Sequence, residues 1–238
     1  MIKLLEIGGE IIVGKFLERV NKFLMVMDCG ERILQCRLVE TGRLPRLLEK
    51  NVKVACLKKE GRRKTFGDVL GVYKDGKWWL TNTNYHRYIV EKILELRLLP
   101  LPKYSKIIPE YKYGDSRIDF YLDDEAKILL EVKGVSLFIG DYGYYPDAPT
   151  ERGRKHILTL MRALNEGYHS YILFLSMSRA KAIRINWEID PKFGEAFIRA
   201  IKSGVKALAV AIKFNLREIY FDEIIPIDIP KRKIRDLG

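Results

Sequence analysis

The chain has 238 residues, enough for one large domain or two small ones, and its 43 Lys and Arg against 31 Asp and Glu give a formal charge of +12. No segment approaches the roughly 18 consecutive apolar residues of a membrane span, and the N-terminus lacks a signal-peptide pattern, so we expect a cytoplasmic protein that does not enter a membrane. The positive charge favours a polyanionic partner, with DNA or another nucleic acid as the first candidate and a negative membrane surface as the weaker one, because no basic amphipathic helix is evident.

The rarer residue types add two expectations. Three cysteines without Cys-x-x-Cys spacing and three scattered histidines argue against a disulfide framework and against a zinc site. Gln35 is the only glutamine beside abundant Lys, Glu and Ile, a composition that favours a hyperthermophilic source.

Residues 1–83 are predicted to form a small β-barrel domain. Short β-rich runs are separated by turns that contain glycine, and they span residues 10–18, 23–28, 33–38, 52–58, 68–73 and 78–81. Five or six short strands without a long helix are typical of a closed barrel, of which the OB-fold is the commonest small basic example.

One turn of this domain is strongly basic. Five cations surround it, beside Phe66: Lys58, Lys59, Arg62, Arg63 and Lys64. A basic loop with a nearby aromatic ring suits the backbone and the bases of a nucleic acid, whereas a solvated run of charges is the alternative interpretation.

Residues 84–238 are predicted to form an α/β domain with a basic tail at 231–235. Helical spacing of apolar residues predicts helices at 84–98, 150–165 and 191–203. The strands expected between them span 107–113, 117–122, 127–135, 168–175 and 205–214. Alternating strands and helices indicate a mixed sheet with parallel members, flanked by helices, so the chain is of the α/β class, or α+β when the barrel is included.

The segment from Arg117 to Lys133 has the pattern of a β-hairpin with one apolar and one charged face. The apolar face consists of Ile118, Phe120, Leu122, Ile128, Leu130 and Val132. If the turn is centred on Glu125, residues whose numbers sum to 250 face each other. That register places Asp119 opposite Glu131 and Arg117 opposite Lys133, with Cβ atoms roughly 5 Å apart.

The charged face of this hairpin suits phosphodiester chemistry. Two carboxylates held together repel each other unless a cation or a shared proton lies between them, and Mg²⁺ or Mn²⁺ takes such oxygen ligands. Lys133 shares the face of Glu131 and can hold a water or a phosphate oxygen. Asp119, Glu131 and Lys133 are therefore the candidate catalytic residues, with Asp119 and Glu131 as metal ligands. A solvated face with cross-strand pairing of acids and lysine is the alternative.

Further cations are expected near these acids. Arg152, Lys155 and His156 open the helix at 150–165, where a helix N-terminus favours phosphate binding. A solvated helix start, with His156 as an ordinary surface histidine, is the alternative. Arg117, opposite Lys133, would add a second cation beside the acids and help to bind phosphate.

Three blocks of this chain resemble the sugar fermentation stimulation protein family (SfsA). They are Tyr113-Gly-Asp-Ser-Arg-Ile-Asp-Phe120, Leu130-Glu-Val-Lys-Gly-Val135 and the long, specific run Gly143-Tyr-Tyr-Pro-Asp-Ala-Pro-Thr-Glu-Arg-Gly-Arg-Lys-His156. The resemblance is strong over residues 84–213 and weak over the first eighty residues, where the barrel departs from two family motifs, at residues 36–42 and 49–51.

The resemblance implies an OB-like barrel at residues 1–83, a PD-(D/E)XK nuclease-like domain at residues 84–238, and DNA binding. In that pattern Asp119, Glu131 and Lys133 match the catalytic acid, acid and lysine. Glu91 fits a helical acid that often joins them as a metal ligand, and Glu110 also matches a family acid. The alternative function is a non-catalytic DNA-binding regulator of sugar metabolism genes that retains the nuclease scaffold. Nucleases with one site per chain often pair, so a homodimer is left open.

Overall fold

The computed structural model describes residues 1–40, 42, 44 and 47–229. These residues form two compact units, residues 1–89 with 212–222, and residues 90–211 with 223–229. The sequence analysis assigns everything beyond residue 83 to one domain, so the main difference concerns residues 212–222, which belong with the first unit. The basic tail expected at 231–235 lies outside the described residues.

The elements follow each other along the chain in three groups. The first unit contains β1 (Ile2–Glu6), β2 (Ile11–Asn21), β3 (Leu24–Asp28), β4 (Ile33–Arg37), β5 (Lys53–Lys58), β6 (Gly67–Lys74) and β7 (Lys77–Leu80), and the chain leaves it within α1 (Tyr85–Glu95). The second unit contains β8 (Lys106–Tyr113), β9 (Ser116–Asp123), β10 (Ile128–Val135), β11 (Leu137–Ile139), β12 (Tyr142–Tyr145), α2 (Glu151–Asn165), β13 (His169–Ser176), β14 (Ala182–Ile185) and α3 (Pro191–Ser203). The chain then passes through β15 (Lys206–Phe214), β16 (Glu218–Ile224) and β17 (Ile227–Asp228).

Strands β2 to β6 of the first unit close into a five-stranded barrel. β2 pairs antiparallel with β3 and with β5, β3 pairs with β4, and β5 pairs with β6. The barrel closes where β4 meets β6 in parallel, with Cys36 beside Gly67 and Arg37 beside Asp68. This order, in which a parallel contact joins the third and fifth strands of the barrel, is the OB topology that the strand pattern predicts.

Gly67 permits the closure of the barrel. A Cβ atom at this position would lie 2.1 Å from the carbonyl oxygen of Leu57, far inside van der Waals contact. The next residue, Asp68, is buried, and its Oδ1 accepts hydrogen bonds from Arg37 at 2.8 Å and from Arg63 at 3.4 Å. Arg63 therefore helps to satisfy a buried carboxylate, a structural contact that the sequence analysis does not assign to it.

The second unit is built on a mixed sheet in the order β15-β13-β10-β9-β8. β10 and β13 are parallel, as are β13 and the first part of β15, whereas β8, β9 and β10 form an antiparallel meander. A smaller sheet has the order β11-β12-β14-β17. The mixed α/β sheet predicted for this part of the chain is therefore confirmed.

Helices α2 and α3 share one hydrophobic core with the mixed sheet. Ile157 and Leu160 of α2 are fully buried, as are Phe193 and Phe197 of α3. Phe197 meets Phe174 of β13 edge to face, with ring centroids 5.8 Å apart. This packing sets the position of α2 against the strands that carry the candidate acids.

Candidate metal centre

The β9–β10 hairpin has the register that its sequence predicts. Leu129 faces Tyr121 and Leu130 faces Phe120, so the numbers of each pair sum to 250. The ladder ends there, and Asp119 does not extend it. Its Oδ2 instead accepts a hydrogen bond from the backbone N–H of Val132 at 2.7 Å. This bond holds the Asp119 carboxylate against the segment that carries Glu131.

Glu131 and Lys133 lie in the interior of the second unit. Glu131 is 2 % exposed and Lys133 is 8 % exposed, so for these two residues the interpretation as a solvated face is wrong. Lys133 Nζ donates to Oε1 of Glu131 at 2.6 Å. Oε2 of Glu131 is buried and has no hydrogen-bond partner among the described residues.

Arg117 does not lie opposite Lys133, because the β9–β10 ladder ends before reaching it. Arg117 pairs with Lys112 of β8, and its largely exposed side chain lies 3.5 Å from Oε2 of Glu110. The expectation that the hairpin register places Arg117 and Lys133 together beside the acids is therefore wrong. Lys133 is the cation that the hairpin brings to Glu131.

Helix α2 brings His156 to the same carboxylate. Nδ1 of His156 is hydrogen-bonded to Oε1 of Glu131, and Nε2 lies 3.4 Å from Nε of Arg152, which can only donate. We therefore assign the ring hydrogen to Nδ1, which donates to Glu131. His156 is 6 % exposed, so its interpretation as a surface histidine is wrong. It precedes the buried Leu160 by four residues and so shares the buried stripe of the helix.

Two capping groups fix the start of α2. Thr150 Oγ1 accepts from the N–H of Gly153 at 3.0 Å. Asp190, which caps α3 through the N–H of Phe193 at 2.9 Å, also accepts from the N–H of Thr150 at 2.8 Å and from Arg154 at 2.6 Å. The first turns of both helices therefore share one buried carboxylate, which holds the segment carrying His156 in place.

A cleft of about 280 Å³ opens where the hairpin meets the start of α2. Asp119, Glu131 and Lys133 line it from the hairpin, and Arg152 and His156 line it from α2. Tyr145, Thr150 and Gly153 complete the polar part of its wall. The cleft therefore contains two acids and two cations within one concave surface.

The surroundings of the two acids shift their pKa values in opposite directions. Burial and then the charge of Glu131 raise the pKa of Asp119 to about 7. Burial also acts to raise the pKa of Glu131, but the hydrogen bond from His156 and the charge of Lys133 outweigh it and hold this pKa below its ordinary value. Burial acts to lower the pKa of Lys133, yet Glu131 outweighs it and raises this pKa, so Lys133 remains an ammonium at neutral pH.

Other residues that the sequence singles out lie apart from this cleft. Glu91, on α1, is not among the residues that line it. Within the described part of the chain, no three His, Cys, Asp or Glu side chains are already gathered as a metal cage. Lys155 lies on α2 but forms an ion pair with Asp115 at 3.0 Å instead of lining the cleft.

The five cations predicted to bind nucleic acid in the barrel are all exposed. Lys58 forms an ion pair with Glu10 at 2.6 Å, and Arg63 contacts the buried Asp68. Lys59, Arg62 and Lys64 form no ion pair with any residue that the structure describes. Phe66 lies beside them, with the guanidinium of Arg32 5.2 Å from the centre of its ring.

The sequence analysis missed the contact between His156 and Glu131 and the role of Asp190. The burial of His156 could have been predicted, because its spacing from Leu160 places the histidine on the apolar stripe of the helix. The role of Asp190 could not, because Asp190 and Thr150 are 40 residues apart and meet only through tertiary packing.

Comparisons with known proteins identify the relatives of this chain. The family model described as "Sugar fermentation stimulation protein RE domain" matches residues 84–218. The sugar fermentation stimulation protein homolog of Thermosipho melanesiensis is 36 % identical over 215 residues, which are 90 % of this chain and 93 % of that protein. The chain belongs to the sugar fermentation stimulation protein family.

Other members of the family agree with this assignment. The homolog of Methanothermobacter thermautotrophicus is 39 % identical over 210 residues, 86 % of this chain and 87 % of that protein. The structure of Pyrococcus furiosus SfsA in complex with Ca²⁺ matches with a TM-score of 0.88 and 30 % identity, over 96 % of this chain and 100 % of that chain. Together with the strand pairings, this match shows the fold of the family, an OB-like barrel and an α/β domain built on a mixed sheet. None of the helices that the structure describes has the length and apolar character needed to cross a membrane.

Proposed function

We propose that this member of the family is a DNA-binding phosphodiesterase of the nuclease type that depends on a divalent cation, with its site at Asp119, Glu131 and Lys133. The observation that carries the proposal is the buried Oε2 of Glu131, which has no hydrogen-bond partner among the described residues. An unsatisfied buried acceptor costs about 1–3 kcal/mol, and more when it is charged. A bound cation would satisfy it.

The residues of the cleft fit a hard divalent cation. Carboxylate oxygens of Asp119 and Glu131 are the ligands that Mg²⁺ and Mn²⁺ prefer, with water and phosphate oxygens completing the coordination. The Ca²⁺ in Pyrococcus furiosus SfsA is likewise a hard divalent cation that prefers oxygen ligands. Such an ion, when bound, lowers the pKa of a coordinated water and offsets charge on the phosphoryl group.

The chain's own side chains then have distinct tasks. Lys133, kept as an ammonium by Glu131, donates hydrogen bonds to the attacking water or to a phosphate oxygen and does not act as a base. Arg152, exposed on the α2 wall of the cleft, is placed to bind a phosphate through paired N–H groups. These two cations offset the repulsion between the acids and a phosphodiester.

The barrel supports DNA binding from the first unit. Lys59, Arg62 and Lys64 are exposed, and Phe66 offers a ring for stacking beside them. Lys58 and Arg63 contribute less, because each already contacts a carboxylate. A homodimer would supply two copies of the cleft, one for each strand of a duplex.

Metal-dependent cleavage tests the proposal. The wild type, Asp119→Asn and Lys133→Met are incubated with single- and double-stranded DNA and Mg²⁺ or Mn²⁺, with Asp123→Asn as a matched control on the same strand, β9. We expect the wild type and Asp123→Asn to cleave, and both cleft variants and an EDTA-treated sample to lose at least about 100-fold in rate.

Two results would contradict the phosphodiesterase. Cleavage that persists in Asp119→Asn and Lys133→Met would place the activity elsewhere. DNA binding by the wild type without cleavage of any substrate would favour the non-catalytic regulator instead.

A further inference from the structure

We infer that His156 is a positioning residue of this site, one that fixes the Glu131 carboxylate so that Oε2 faces the cation. The inference rests on the proposed function and deepens it. It gives His156 a task that differs from the phosphate contact expected from its place at the start of a helix.

The two oxygens of Glu131 have opposite environments. Oε1 receives the ammonium of Lys133 at 2.6 Å and the Nδ1–H of His156, whereas Oε2 receives no hydrogen bond from the described residues. A half-turn about the last side-chain bond would exchange these oxygens. The half-turned carboxylate is chemically identical, but every intermediate orientation would break both hydrogen bonds to Oε1. The two donors on one oxygen therefore fix the plane of the carboxylate.

His156 is better suited than Lys133 to fix this orientation. The lysine reaches Glu131 from two residues along the same strand through a flexible stem. The histidine has a planar ring on a capped helix, and that helix is held through Thr150 and Asp190. Groups that hydrogen-bond a metal-ligating carboxylate orient it in this way, and their loss typically weakens metal affinity by about 10–100-fold.

The competing tasks for His156 fit the geometry less well. Its Nδ1 faces Oε1 of Glu131 and its Nε2 faces Nε of Arg152, so neither nitrogen offers a lone pair to a cation. With both ring nitrogens engaged in this way, neither is left to donate a hydrogen bond to a phosphate. The contact with Arg152 instead sets the tautomer that places the hydrogen on Nδ1.

Three substitutions distinguish the contribution of Nδ1 from that of Nε2. The amide nitrogen of Asn takes approximately the place of Nδ1, and that of Gln takes approximately the place of Nε2. His156→Asn therefore retains a donor toward Glu131, His156→Gln moves it away, and His156→Phe keeps a ring of similar size without a donor. Lys155→Met, on the exposed side of the same helix, is the control.

The measurement is calorimetric titration of each full-length variant with Mn²⁺ in the absence of DNA, after circular dichroism has shown that it is folded. We expect His156→Gln and His156→Phe to bind Mn²⁺ about 10–100-fold more weakly than the wild type, while His156→Asn and Lys155→Met remain close to it. If His156→Phe fails to fold, the comparison of Asn with Gln decides.

Equal affinity of the Asn and Gln variants, or wild-type affinity of the Phe variant, would overturn the role of His156 while leaving the metal site in place. Absence of Mn²⁺ binding by the wild type would overturn the proposed function itself. The two failures are therefore distinguishable in one series of titrations.

Discussion

Two acids of the same chemical kind behave differently in this cleft because of what surrounds each of them. Glu131 has two positively polarised partners on one oxygen, which keep it ionised despite its burial. Asp119 has one backbone donor, and burial together with the charge of Glu131 raises its pKa to about 7. A cation between them would relieve the repulsion that this shift reports.

The raised pKa of Asp119 predicts a pH-dependent stability in the absence of metal. Between about pH 4 and pH 7 folded Asp119 retains a proton that the unfolded chain releases, so its contribution to stability falls as the pH rises. Asp119→Asn cannot ionise. In EDTA its free energy of unfolding should therefore exceed that of the wild type by about 3–4 kcal/mol at pH 7.5, and by little at pH 4.

Urea denaturation across this pH range measures the effect. Asp123→Asn, four residues further along β9 and outside the cleft, is the control and should follow the wild-type curve. A difference between Asp119→Asn and the wild type that stays constant from pH 4 to pH 7.5 would contradict the raised pKa.

At the scale of single residues, the sequence predicts which residues lie near each other better than it predicts which residues are buried. The alternation around Glu125 is enough to place Asp119 near Glu131 and to put Lys133 on the same face as Glu131. It does not reveal that Glu131 and Lys133 are covered, because α2 supplies the cover and its side chains meet β10 only after folding. Arg117 was misplaced for a different reason, because the β9–β10 ladder ends at the Phe120–Leu130 pair and Asp119 meets Val132 through its side chain instead.

Among the secondary-structure elements, the start of α2 depends most on a distant residue. Asp190 caps α3 and binds the N–H of Thr150 and the guanidinium of Arg154. Burial acts to raise its pKa, but these donors outweigh it and lower it, so Asp190 stabilises the fold as an anion at neutral pH. This contribution is present above the ordinary pKa of an Asp and is lost as the pH falls through the lowered pKa of Asp190.

We predict that Asp190→Ala lowers the free energy of unfolding by about 3 kcal/mol, because it leaves a largely buried guanidinium and two backbone N–H groups without their acceptor. Chemical denaturation at pH 7 measures the loss. Glu188→Ala, an exposed acid in the preceding turn, should change stability by less than about 0.5 kcal/mol. Equal effects of the two substitutions would show that Asp190 does not join the helices.

The elements themselves were predictable where the pattern is local. The helix predicted at 191–203 has those bounds in α3, because a capping Asp, a Pro in the first turn and a terminal Gly mark its ends. Strand β1 was missed, because its partner β16 lies more than 200 residues away and its short run carries no turn signal. The small sheet of β11, β12, β14 and β17 was missed for another reason, because each of its strands has only two to four residues, too few for an alternating pattern to be evident.

The whole molecule carries its excess positive charge on both units, and the proposed function needs part of it to contact phosphate. Lys59, Arg62 and Lys64 are exposed cations of the basic turn of the barrel, and they form no ion pair with any described residue. Each phosphate contact that they make should release about one counterion when DNA binds.

Neutralising these three residues to Gln should therefore reduce the slope of log affinity for DNA against log salt concentration by about two to three. Fluorescence anisotropy at several salt concentrations measures it. A control triple variant at Lys3, Lys103 and Lys181, each already paired with a carboxylate, removes the same net charge and should change the slope little. Equal slopes for the two triple variants would show that overall charge, and not this turn, determines binding.

The most direct test of the account is anomalous diffraction from crystals soaked in Mn²⁺, with data collected at the manganese absorption edge. We expect a peak in contact with Oε2 of Glu131 and the carboxylate of Asp119, and no such peak in Glu131→Gln crystals. Wild-type crystals without a peak at these two side chains, or with manganese bound only elsewhere, would contradict it.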